Sequence, residues 1–164
     1  MHRRTFIAGC AALTIVPYAR EAKEIRETAS RMDGLLPFLR SVLHHMFPPS
    51  SSPFTASDPA FFVKETLMHP SFDKDIRRFV IEGTETFRQR HPRFAQATVS
   101  DKDRMLRDFE RTSYGAAWLA QLMTLALEGL LSAPVYGANP QKRHWEALHT
   151  KGGVPLPKTR YIWG

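Results

Sequence analysis

The sequence predicts an all-α protein, a single helical bundle followed by an irregular Pro/Gly-rich C-terminal arm. Three observations predict it. Apolar residues recur every three or four positions through most of the chain, the period of a helix with one buried face. No alternating apolar pattern of four or more residues stands out, so nothing asks for a strand. Asp-Pro, His-Pro and Pro-Pro pairs fall where the periodic runs begin and end, the places where proline and a capping residue belong.

Residues 1–19 have the make-up of an export signal. The basic pair Arg3-Arg4 leads straight into the apolar run 6–16. That run is shorter than the ~20 residues a bilayer-spanning helix needs. It suits the apolar region of a signal peptide, roughly 7–15 residues long. Pro17 is expected to break the helix, and small Ala19 to precede the cleaved bond. Arg3, Arg4, Phe6 and Ile7 form Arg-Arg-x-Phe-Ile, which resembles the twin-arginine export signal. His2 stands where Ser or Thr is usual, and no Lys follows Ile7. The resemblance implies export of an already folded chain, which can carry a bound partner lacking its own signal. Two other readings stay open. Ile7-Ala8-Gly9-Cys10 looks like a lipobox, although only Phe6 and Ile7 are strongly apolar ahead of it. The segment can also be an uncleaved helix.

The bundle is expected over 20–133. Residues 21–32 are charged and make a short helix or a lead-in. Asp33 can cap a helix from Leu35 whose stripe is Leu35, Leu36, Leu39, Val42, Leu43 and Met46. Pro48 and Pro49 stop it, and a Pro/Ser-rich loop follows to Ser57. Asp58-Pro59 opens the next helix, which carries Phe61, Phe62, Val63 and Leu67 and ends at His69-Pro70. Ser71 or Asp73 starts a longer one to about Arg90, with Ile76, Phe79, Val80, Gly83 and Phe87 on its buried face. Ser100 with Asp103 resembles a capping box for a helix through Arg111. Ser113 then opens a helix to about Leu131 that is apolar on most faces, interrupted by Trp118, Gln121, Thr124 and Glu128. Such a helix belongs in the middle of a bundle or against a partner. Beyond it, 134–164 is rich in Pro and Gly and forms the arm, within the same domain.

Composition narrows the function. The 164 residues, 43% of them hydrophobic, suffice for one modest core. Lys and Arg number 23 against 16 Asp and Glu, a net +7. Loss of Arg3 and Arg4 with the signal takes two charges away, leaving +5. The bases are mixed with acids, as a solvated helix face requires, and nucleic-acid binding is not expected. Cys10 is the only cysteine, which excludes an intrachain disulfide, CxxCH haem attachment and CxxC zinc or redox pairs. There is no GxGxxG and no GxxxxGK[ST]. The seven histidines make no HxxxH or HExxH: His44 and His45 are adjacent, and His144 and His149 lie five apart. No serine sits in G-x-S-x-G. Catalytic, cofactor-binding and metal-binding residues are therefore all expected to be none in this chain.

The segment with the most specific character runs Glu128-Gly129-Leu130-Leu131-Ser132-Ala133-Pro134-Val135-Tyr136-Gly137-Ala138-Asn139, followed by Trp145. It resembles the gluconate 2-dehydrogenase subunit 3 family, whose pattern is approximately E-G-x-x-S-D-P-x-Y-G-G-N and then Gly-Trp. Weaker likeness extends to the apolar helix ending in Phe47-Pro48, the helix around Gly83, Trp118 and the twin-arginine start. Ala133 replaces the Asp, Ala138 the second Gly, and His144 the Gly before Trp145, which suggests a divergent member. The resemblance implies a small subunit of a membrane-associated dehydrogenase that oxidises a sugar, sugar acid or polyol. Its partners would be an FAD-dependent catalytic subunit of the glucose–methanol–choline type and a multihaem cytochrome c. FAD and haem c would thus sit in other chains, and membrane association would come through the complex.

The residues of that segment also have a reading of their own. Glu128 sits near a helix C-terminus, where a carboxylate opposes the dipole and asks for a partner such as Arg143, Lys142 or a backbone N–H. Ser132 and Pro134 end the helix, Tyr136-Gly137 turns, and Asn139 can bond the backbone. Glu128, Gly129, Pro134, Tyr136, Gly137, Asn139 and Trp145 are therefore either a structured helix exit or a docking surface. The terminal Tyr161-Ile162-Trp163 can pack on the domain or anchor in a partner. Expected, then, is a non-catalytic accessory subunit, periplasmic and peripheral to the inner membrane; the alternative is a free-standing periplasmic helical binding protein.

Overall fold

The computed structural model describes the backbone of residues 3–48 and 58–159, and the side chains of 23–48 and 58–159. The fold is all-α. Six α-helices follow one another, α1 (Arg3–Met46), α2 (Pro59–Met68), α3 (Lys74–Arg90), α4 (Val99–Glu110), α5 (Ser113–Leu131) and α6 (Arg143–Ala147). Short 3-10 turns lie at Phe94–Gln96, Pro134–Tyr136 and Pro140–Lys142, and the described residues contain no strand. The chain divides into two compact units, 1–34 and 35–164. The first is the leading part of α1, with Lys23 and Glu27 paired at 3.7 Å on its exposed side.

Two expectations about α1 do not hold. Its backbone is helical past Pro17, so proline does not end it there. Asp33 lies inside the helix rather than capping a new one. A proline removes one i→i−4 bond and kinks a helix without obliging it to stop, and Pro37 is likewise inside α1.

The other starts follow from capping chemistry. Asp58 accepts from the backbone N–H of Ala60 at 3.2 Å and of Phe61 at 3.4 Å, with Pro59 in the first turn. Its second oxygen meets Arg40 Nη2 at 2.7 Å, which ties α2 to the 35–46 stretch of α1. Asp73, not Ser71, caps α3 through the N–H groups of Asp75 and Ile76. The capping box of α4 falls two residues earlier than the Ser100–Asp103 pair. Thr98 Oγ1 accepts from Asp101 N at 3.2 Å and donates to Asp101 Oδ2 at 2.7 Å. Thr112 caps α5 by accepting from Gly115 N at 2.9 Å. Arg77 reaches back over the end of α2, donating to the carbonyls of Leu67, His69 and Phe72.

α5 packs on α2, α3, α4 and α6, and its first half enters an aromatic cluster. The Phe87 ring lies 5.9 Å from Phe38, 5.2 Å from Phe94, 5.1 Å from Phe109 and 5.4 Å from Trp118, centroid to centroid. All are buried, and such tilted and edge-on pairs add to the burial of their large area. The Trp118 ring occupies the space a side chain on Gly83 would need: a Cβ there would stand 2.1 Å from Trp118 Cδ1. Close helix approach is therefore why glycine is tolerated inside α3. Ile76, expected on the buried face, is exposed, and Ile81 and Thr84 are buried instead.

Candidate functional site

Every backbone carbonyl in the last turn of an α-helix lacks its intrahelical donor. At the end of α5, side chains of the following segment supply those donors. Ser132 Oγ donates to Gly129 O at 2.7 Å, in addition to the Ser132 N–H at 3.2 Å. His144 Nδ1 bonds Leu130 O. A carbonyl only accepts, so that nitrogen carries the proton, which fixes the ring's tautomer. Trp145 Nε1 donates to Leu131 O at 2.8 Å. Asn139 Nδ2 donates to Ser132 O at 2.9 Å, while its Oδ1 accepts from His144 N at 3.1 Å. Four successive carbonyls are thus closed by four side chains, and Asn139 links the cap to α6.

Glycine serves this exit at three points. Gly129 lets Phe62 of α2 pack on the helix backbone, since a Cβ there would be 2.5 Å from the Phe62 ring. Gly137 takes φ 90°, the left-handed conformation that ends the 3-10 turn Pro134–Tyr136. Gly152 lies against the Trp145 ring, where a Cβ would stand 2.2 Å from Cη2. The arm is consequently ordered around Trp145 by two 3-10 turns and α6, with no regular structure over 148–159.

The predicted contact residues divide into two groups. Gly129, Asn139 and Trp145 are buried and hold the exit together, whereas Glu128, Pro134, Tyr136 and Gly137 reach the surface or lie half-buried at it. The expected pairing of Glu128 with Arg143 or Lys142 is not formed. Arg143 instead donates to Gln141 Oε1 at 3.1 Å. Glu128 is exposed and has no ion-pair partner among the described residues. Lys142 and the Gln141 before it both take left-handed backbone conformations, just ahead of Arg143. Side chains of Arg3, Arg4 and Phe6 lie outside the described ones, as do all of Tyr161, Ile162 and Trp163.

Sequence reasoning did not single out His144 as a cap, nor the outward half of α5. Buried on α5 are Gly115, Trp118, Leu122, Leu125, Ala126, Gly129 and Leu130. On the opposite side, Ala116, Ala120, Met123, Leu127 and Leu131 form one stripe at four- and three-residue spacing. Met123 is 45% exposed, Leu127 37% and Leu131 40%, too much for core positions. Ala117 and Thr124 extend the stripe laterally, and Glu128 is the only charged residue on the helix. The detectable signal was a 19-residue helix with a single charge; the bundle covers only half of it.

The arrangement suits holding and presenting a surface. Among the described residues no cluster of three or more His, Cys, Asp or Glu is placed to hold a metal ion, and no helix is long and apolar enough to cross a membrane. His45 Nε2 and Asp103 Oδ1, 2.8 Å apart, join the 35–46 stretch of α1 to α4. No family model, curated protein or solved structure is similar enough to this chain to count as a match.

Proposed function

We propose that the chain is a non-catalytic accessory subunit of an exported FAD-dependent dehydrogenase, resembling the small subunit of gluconate 2-dehydrogenase. In this reading it aids folding, stability and twin-arginine export of a flavoprotein that has no signal of its own. The flavoprotein carries the FAD and a cytochrome c subunit carries the haems. Complex and chain alike reside in the periplasm, peripheral to the inner membrane. The observation that carries the reading is the outward half of α5. A bundle that leaves a nearly charge-free helix face in water is incomplete by itself. The likeness of the Glu128–Asn139 segment and of Trp145 to that family supplies the identity of the partner.

The test is co-expression with a large flavoprotein encoded beside this chain. The two should co-purify from the periplasm with FAD in the large subunit. Replacing Arg3→Lys and Arg4→Lys together should retain both in the cytoplasm. Arrival of the flavoprotein in the periplasm beside the doubly substituted chain would refute the carrier role. Dye reduction by the isolated small chain with a sugar acid would refute the non-catalytic one.

A further inference from the structure

We infer that the outward face of α5 pairs with the same face of a second copy, antiparallel, about a two-fold axis between Ala120 and Met123. A two-fold contact must be self-complementary, with residue i meeting j and j meeting i. The stripe has that property. With Ala120 opposite Met123, the spacing of the helix puts Ala116 opposite Leu127. Each small residue then faces a large one, so alanines receive the larger side chains as holes receive knobs. Parallel pairing sets Leu127 against Leu127 and Ala116 against Ala116, leaving one end crowded and the other hollow.

Charge points the same way. Glu128 sits at the negative end of its own helix with no ion-pair partner among the described residues. In the antiparallel register it comes level with Gly115 of the other copy, in the first turn of that α5. There the helix dipole is positive. Arg111, with a side chain 81% exposed and only a 3.3 Å pair with Asp108, stands just ahead of that turn. The unfavourable end of one helix thereby meets the favourable end of the other, twice. The pairing is a property of the chain alone and does not rest on the accessory-subunit reading; a dehydrogenase subunit that uses α5 displaces the second copy.

The experiment is sedimentation velocity of the full chain over a concentration series, beside Met123→Arg and Leu127→Lys. These positions are exposed, so both variants keep the fold, which helical circular dichroism verifies. The wild type should reach the mass of a dimer, and each substitution should weaken self-association by at least about tenfold, since a charge is placed in the apolar seam. In a Cys10→Ser background, Ala120→Cys should cross-link to itself on oxidation, close to the axis, and Leu131→Cys should not. A wild type that stays monomeric at every concentration overturns the inference, whether the face is then open or covered by the chain's own ends. So does a dimer untouched by both substitutions, or Leu131→Cys cross-linking while Ala120→Cys does not. None of those outcomes alters the co-purification test of the accessory role.

Discussion

The two ends of α5 are held by different physics. At its first half, Trp118 is locked between Phe87 and Phe109, with one polar tie, Trp118 Nε1 to Val80 O at 3.3 Å. At its last turn, Ser132, Asn139, His144 and Trp145 close carbonyls one by one. The first hold is a matter of area and shape, so its loss scales with the atoms removed. The second is a set of directed bonds in buried surroundings, so one missing donor costs more than the bond contributed, because the abandoned carbonyl stays away from water. Stability is thus sensitive to size at one end of α5 and to a single nitrogen at the other.

The largest effect belongs to the aromatic end. Phe87→Ala should cost about 3–5 kcal/mol, the range for emptying a buried phenylalanine site. Chemical denaturation, with helicity as the signal, measures it. A loss under about 1 kcal/mol would mean that Phe87 is not the centre its five ring neighbours make it.

Next comes Asn139, which bonds Ser132 O just past α5 and His144 N in α6. Asn139→Ala removes the donor to Ser132 O and the side-chain acceptor of His144 N, and a buried group left unsatisfied costs about 1–3 kcal/mol. Asn139→Asp sharpens the comparison. It keeps an oxygen for His144 N but turns the donor facing Ser132 O into an acceptor beside the negative end of α5. Asp should therefore rescue little of the alanine loss, although it matches Asn in size. Full rescue by Asp would assign the hold to shape and erase the distinction between the two ends.

Gly83→Ala sets a local preference against packing. Alanine in place of glycine favours a helix interior by about 1 kcal/mol. Here the added Cβ meets Trp118 Cδ1 at 2.1 Å, and displacing a buried indole costs about 1–3 kcal/mol. Packing should win, with a net loss of stability on denaturant titration. A net gain would show that Trp118 shifts freely, and hence that the aromatic end is looser than its ring distances state.

Much of the bundle was legible because its punctuation is chemical. Asp58-Pro59 and Asp73 place α2 and α3, and Ser132 with Pro134 ends α5, since each signal acts within a few residues of where it stands. The α4 start shifted by two because Thr98-x-x-Asp101 and Ser100-x-x-Asp103 are equally good boxes on paper. The fold uses the first. Phe94 itself lies in a 3-10 turn between helices, where no periodicity announces a core residue. The helix exit was legible as a turn but not as a cap. Which donor reaches which carbonyl depends on the left-handed Gln141 and Lys142, a conformation those residue types do not signal. The open face of α5 was half-legible: the sequence shows too few charges for a surface helix, and only the fold shows which half stays outside.

The smallest effect concerns the polar rim of the aromatic end. His91 ends α3 with its N–H on Phe87 O at 2.9 Å, and its ring lies 4.9 Å from the Phe87 ring. Burial lowers its pKa from the usual 6.5, the neighbouring Arg90 lowers it further, and Asp108 pulls the other way. Between that lowered value and 6.5, the unfolded chain takes up a proton that the folded chain refuses. Stability therefore rises with pH across this window. It falls as pH drops from 6.5, until the folded histidine is itself protonated and the loss is complete. His91→Gln should remove this part of the acid-side decline while leaving neutral-pH stability nearly unchanged. Asp108→Asn, which deletes the opposing influence, should lower the histidine's pKa further and widen the window. Denaturant midpoints taken above and below the histidine value test both, and an unchanged acid-side slope in His91→Gln would place the pH sensitivity on other groups.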